Sequence, residues 1–172
     1  MNEQDSEPPY LPSHIANYFL WLAKQENVED LTTMKLIKLV YFSYAWYYAL
    51  FGKKLFSEKI EAWRYGPVIP SIYHEFKRAA NDPIDFFSMN FAMKTGEISY
   101  PIIKNGDDDI IQLLSAVWAV YKDKSGLELS DITHEDGSPW CHAYDQGENS
   151  PMDDSLIRER AKQAIVKYKG KW

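Results

Sequence analysis

The sequence predicts an α+β, helix-dominated chain: a single domain of about six helices around a buried central helix, with a small antiparallel sheet. Three observations carry that prediction. Residues 33–51 are apolar on nearly every face, as only a buried helix tolerates. Residues 61–65 alternate in the manner of a strand with one buried face. At 172 residues the chain is long enough for one good core and too short for two full domains.

Each element follows from its own residues. Met1 to Pro9 is acidic and proline-bearing, the reverse of a signal peptide, and residues 1–12 are expected to be a flexible tail before a domain of residues 13–172. Ser13 is expected to cap a helix over 14–26, with Ile15, Phe19, Leu22 and Ala23 on one stripe. Thr32 caps the central helix, and Gly52 stops it. Its inner face holds Ile37, Val40, Tyr41, Tyr44, Ala45, Tyr48 and Phe51.

A strand then runs to Tyr65, ended by Gly66-Pro67 because Pro67 cannot donate to a ladder. Ser71 is expected to cap a helix over 71–80, stopped by Asn81-Asp82-Pro83. Within 84–106 the pattern is faint, and residues 98–104 are expected to pair with the strand at 58–65. Asp107, Asp108 and Asp109 open the next helix and Lys122 and Lys124 close it, both complementing the helix dipole, with Ser125-Gly126 as its end. Short helices follow near 130–136 and from Pro139, the latter capped by Ser138. Ser150-Pro151 repeats that device for a last helix over 151–169.

Composition narrows the function. A formal charge of −6 disfavours phosphate binding, so nucleic acid is an unlikely partner, and a basic partner would suit it. No apolar run approaches the length of a membrane span. Cys141 is the only cysteine, which forbids an internal disulfide and points to a reducing cytoplasm. Aromatic residues make 15% of the chain, enough for a core of large rings or a surface that uses them.

Catalytic constellations are sparse. The eight glycines are scattered and cradle no phosphate. His74-Glu75 begins like a zinc-protease helix, but Arg78 stands where the second histidine belongs. Cys141 and His142 are helix neighbours whose side chains diverge by about 100°. Cys141 with His134 is geometrically open as a nucleophile and base; a packed thiol and a backbone-bonded imidazole are the plainer reading. Glu58 and Glu61 are expected to be solvated charges on opposite strand faces. The tyrosines of the central helix (Tyr41, Tyr44, Tyr47, Tyr48) read as core, because a base-stacking platform needs a basic groove and only Lys35 and Lys38 are near. Trp63 and Tyr65 fit a core wall and a binding surface equally. No catalytic residue, metal or cofactor is expected.

Three segments resemble a known family. They are Lys35-Leu36-Ile37-Lys38-Leu39-Val40-Tyr41-Phe42, Glu61-Ala62-Trp63-Arg64-Tyr65-Gly66-Pro67-Val68, and the stretch from Leu129 to Trp140 in which Thr133-His134 precedes Ser138-Pro139-Trp140. In that order they are similar to the Panacea domain, also called SocA-like or GepA-like, of phage-associated and antitoxin proteins, over about residues 13–145. The resemblance implies an antitoxin that neutralises a cognate toxin by direct protein contact. One branch of the family resembles an adaptor that delivers its toxin to a ClpXP-type protease. Site residues implied for partner binding are Trp63, Tyr65, Gly66, Pro67, Val68, Tyr73, His134, Ser138 and Trp140. An enzyme using Cys141 and His134 is the remaining alternative.

Overall fold

The computed structural model describes residues 7–169. Residues 1–6 of the expected tail and the last three residues of the expected domain lie outside the described residues. Ordered contacts begin before residue 13: the Tyr10 hydroxyl donates to Asp107 Oδ2 at 2.6 Å and the Tyr10 amide to Leu55 O.

Seven α-helices are present among the described residues: α1 (Pro12–Glu26), α2 (Thr33–Phe51), α3 (Pro70–Phe76), α4 (Asp108–Tyr121), α5 (Gly126–Thr133), α6 (Pro139–Tyr144) and α7 (Asp154–Tyr168). Five short strands join them: β1 (Glu61–Trp63), β2 (Gly66–Val68), β3 (Asn90–Ala92), β4 (Glu97–Ser99) and β5 (Ser150–Pro151). The arrangement is the helix-dominated α+β domain that the patterning predicts.

Helix α2 is the centre. Residues 35–46 are buried without interruption, and α1, α3, α4, α5, α7 and β2 all pack on it. Its ends are as expected: Thr32 Oγ1 accepts from the Lys35 amide, and Gly52 takes the left-handed conformation at φ 68°. Phe42 stacks on Tyr121 at 4.2 Å and Tyr44 lies 4.8 Å from Phe56, so the core around α2 is built from large rings. The Tyr44 hydroxyl exits this core to donate to Asp154 Oδ1.

Several boundaries differ from expectation. Ser13 lies inside α1; the chain enters at Leu11, whose amide donates to His14 Nδ1, and Pro12 takes the first helical turn. Ser71 likewise lies inside α3, where Pro70 starts the helix and Glu58 Oε1 accepts the Ser71 amide from across the chain. That helix yields to a 3-10 turn, Lys77–Ala79, rather than continuing to residue 80. Ser125 starts α5 instead of ending α4: its hydroxyl accepts from the Glu128 amide and Glu128 accepts from the Ser125 amide, a reciprocal cap.

The sheet is also rearranged. Gly66-Pro67 does not end the strand region but belongs to β2, which folds back on β1 with Glu61 opposite Val68 and Trp63 opposite Gly66. Pro67 is tolerated there because β2 is an edge strand in the order β2-β1-β5. The other neighbour of β1 is Ser150–Pro151, not residues 98–104. Ser150-Pro151 therefore caps no helix: the Asn149 and Met152 amides donate to Ala62 O and Ile60 O, and α7 waits for Asp153, which accepts from the Ser155 and Leu156 amides. Residues 97–99 pair instead with 90–92 as a separate hairpin. No described helix is long and apolar enough to cross a membrane.

Candidate functional site

The family-motif residues converge where the β1–β2 hairpin meets α5 and α6. Neither Arg64 nor Tyr65 has positive φ, so the turn between the strands is not of the primed kind that closes most two-residue hairpins. Gly66, at φ 103°, takes up the difference in a conformation that L side chains avoid. It is also crowded: a Cβ there would lie 2.7 Å from Thr133 Oγ1 and 2.9 Å from Lys38 Cε and Nζ. Both the backbone conformation and these side-chain neighbours leave position 66 poorly suited to a side chain.

The hairpin is buttressed by buried polar groups from three helices. Lys38 Nζ, inside the protein, donates to Pro67 O at 3.0 Å. Ser130 Oγ donates to Tyr65 O at 2.7 Å, and Thr133 Oγ1 donates to Ser130 O. Trp140 Nε1 donates to Trp63 O at 2.8 Å. Burial holds the Lys38 ammonium down from its ordinary value to about 7. His134 is lowered too, first by burial and then by the nearby Lys38 charge. A buried lysine whose ammonium reaches a hairpin carbonyl is a support for the hairpin rather than a surface charge.

The outer layer is aromatic. Trp63 meets Tyr73 edge-on at 4.9 Å, and its indole N–H donates to Glu61 Oε2. His134 lies 3.8 Å from Trp140, which stacks on Tyr144 at 4.6 Å. Trp63, Tyr73, His134 and Trp140 are half-buried, while Tyr65 stands 55% exposed beneath the Arg64 guanidinium. Gly66, Pro67, Val68 and Ser138 are buried, so they contribute to a surface only by holding it. Ser138 does so as the predicted cap of α6, accepting from the Cys141 amide. The buried face of β1 belongs to Ala62, and the Trp63 and Tyr65 side is the outer one.

The remaining chemistry is quiet. The Cys141 thiol points to backbone carbonyls, His134 O at 3.6 Å and Glu135 O at 3.5 Å, rather than to an imidazole. His134 Nε2 is buried with no hydrogen-bond partner. Glu58 and Glu61 are not solvated charges; each accepts a specific donor, as described above. Among the described residues no three His, Cys, Asp or Glu side chains gather as a metal ion would require.

Sequence reasoning missed Lys38, Ser130, Thr133 and Tyr144. All four left a signal: Lys38, Ser130 and Thr133 lie within the quoted motifs, and Tyr144 is one helical turn from Trp140.

The stretch that carries these motifs is similar to known proteins. The family model described as "Antitoxin SocA-like, Panacea domain" matches residues 36–141, which run from the second residue of the first motif to just past the end of the third. Antitoxin SocA of Caulobacter vibrioides (strain NA1000 / CB15N) is similar at 29% identity over 129 residues. The aligned part covers 73% of this chain and 66% of that protein, a little under two thirds of its length. No solved structure matches the chain.

Proposed function

The chain belongs to the SocA-like antitoxin, or Panacea domain, family, and from that membership we propose that it is an antitoxin that neutralises a cognate toxin by direct, non-catalytic protein contact in the cytoplasm. The observation that carries this reading is the convergence of all three family motifs on one buttressed aromatic face. In it Trp63, Tyr65, Tyr73, His134 and Trp140 are the docking residues, and Gly66, Pro67, Val68 and Ser138 hold them. Rigid aromatics lose little conformational entropy on binding, which is why they dominate interface energetics. The direction of the Cys141 thiol, onto backbone, supports a binder over a thiol enzyme.

Co-expression with the product of a neighbouring toxic gene tests the reading. Rescue of growth and co-purification of the two proteins are the expected results. Rescue without association, direct or bridged, would rule the mechanism out. Rescue that disappears in cells lacking a ClpXP-type protease would make the chain a delivery adaptor rather than a plain neutraliser.

A further inference from the structure

A cavity of about 230 Å³ lies between α2, α4 and α7. Close-packed protein interiors hold few voids larger than a water molecule, so a space of this size has a cause. Small side chains supply it: Ala45 of α2 and Ala161 and Ala164 of α7 border the cavity where larger residues would close it. Rings make much of the remaining wall. Phe42 and Tyr121 are stacked there, and Trp46 meets Tyr121 edge-on at 6.0 Å.

The polar groups at the cavity are donors in surplus. Tyr41 is only 5% exposed, and its hydroxyl forms no hydrogen bond among the described residues, so it opens onto the cavity without a partner. Burial raises that hydroxyl, which keeps it protonated and able to donate. The Arg160 charge acts on the same hydroxyl in the opposite sense, so the guanidinium is within electrostatic reach of it. Arg160 gives Nη2 to Glu135 Oε2 and makes no other hydrogen bond, which leaves the rest of its donor fork available. Lys167 adds an ammonium at the rim, and Glu135 is the one carboxylate among the lining residues.

We propose that this cavity binds a small aromatic carboxylate, its ring against Phe42, Trp46 and Tyr121 and its carboxylate on the Tyr41 hydroxyl and the Arg160 guanidinium. The volume suits such a ligand, since an apolar cavity of about 150 Å³ takes up benzene and the space here admits one ring with a short substituent. Aromatic walls favour an aromatic guest through offset and edge-on contacts. A planar guanidinium matches a carboxylate in geometry as well as charge. The ligand would also satisfy the Tyr41 hydroxyl, which the fold leaves unpaired. The site is not the aromatic docking face, although Thr133 and Ser138 border the cavity and also hold that face, and the inference does not rest on the antitoxin reading.

Calorimetric titration of the full chain with benzoate at neutral pH tests this, with no toxin present. Benzoate should bind saturably with a dissociation constant below about 1 mM, an ordinary efficiency for so small a ligand. Benzamide, which lacks the charge, and acetate, which lacks the ring, should each bind at least about ten-fold more weakly. Tyr41→Phe and Arg160→Gln should each raise the benzoate dissociation constant about ten-fold. Tyr41→Phe should not lower the melting temperature, because it removes no internal hydrogen bond. Ala164→Leu, which fills the cavity from a half-buried position, should abolish binding while the helical circular dichroism is kept. Absence of saturable benzoate binding up to about 10 mM overturns the proposal. So does benzoate binding that survives either Tyr41→Phe or Arg160→Gln, or that benzamide or acetate matches.

Discussion

The two hairpins of this domain are built from similar lengths of chain and are held in different ways. The β1–β2 hairpin receives hydrogen bonds from Lys38, Ser130 and Trp140, on three helices, and its β2 strand is buried. The β3–β4 hairpin hangs from one residue, Asn17, and every residue of both strands is exposed. A hairpin buttressed from within can present a few aromatics at fixed positions. A hairpin clamped only at its base offers a whole face, and its stability depends on what covers that face. The first is a part of the core that reaches the surface; the second is surface that lacks a core.

The largest test of this contrast is Gly66→Ala. The substitution forces an L side chain to φ 103° and drives a Cβ against Thr133 Oγ1 and the end of the Lys38 side chain, so that both must shift within the core. Backbone strain and overpacking together should cost about 3 kcal/mol, a large share of a stability of roughly 5–15 kcal/mol. Denaturant unfolding followed by circular dichroism measures it. A loss below about 1 kcal/mol would mean that the first hairpin is no better seated than the second.

Asn17→Ala is the matching change in the other region. It deletes three hydrogen bonds and strands buried Ser88 and Pro101 backbone groups, a cost of about 2 kcal/mol. The difference should be spatial. Amide hydrogen exchange should speed up across residues 88–101 and stay slow in β1 and β2. Exchange rising equally in both hairpins would show that they open as one unit.

The unequal anchoring also explains what the sequence disclosed. Thr32, Gly52 and the Ser138-Pro139 pair act locally, and each marks its helix end correctly. Ser150-Pro151 carries the same local signature, yet the open edge of β1 captures it as β5, a non-local contact that capping rules do not see. The pairing of residues 98–104 was misplaced for a related reason: alternation tells which face a strand has but not which strand it meets. At the site, the motifs identified the residues that converge. They did not separate the buried Gly66, Pro67, Val68 and Ser138 from the displayed Trp63 and Tyr65, because burial there depends on Lys38 and Thr133 arriving from distant helices.

Lys38 supplies a subtler test. With its folded value near 7 and an unfolded value near 10.4, the unfolded chain binds more protons between those limits. Stability linked to this group is therefore complete above the upper limit and is lost as pH falls through about 7. From pH 7 to 9.5 the wild type should gain on the order of 2 kcal/mol, and Lys38→Met should flatten that rise. His134, lowered by burial, acts below this window. Tyr41, Tyr44 and Tyr121, raised mainly by burial, act above pH 10 with the opposite sign. An equal rise in the Met variant would assign the pH dependence to another group.

The smallest expected change in stability comes from Tyr65→Ala, and it is the most informative about function. Tyr65 is more than half exposed, and the contact that fixes the hairpin there, from Ser130 Oγ, is to its carbonyl oxygen, which alanine retains. Removing the ring should therefore shift stability by no more than about 0.5 kcal/mol, the range of ordinary surface substitutions. If the aromatic face docks the toxin, the same change removes an anchor worth about 2–4 kcal/mol, so affinity should fall roughly thirty-fold or more. Melting temperature and toxin affinity measured on one preparation separate the two effects. Unchanged affinity with unchanged stability would remove Tyr65 from the interface and leave the half-buried Trp63, Tyr73, His134 and Trp140 to be tested in turn. A large loss of stability would instead make Tyr65 part of the first hairpin's support, and the division between buttress and display would have to be redrawn at that residue.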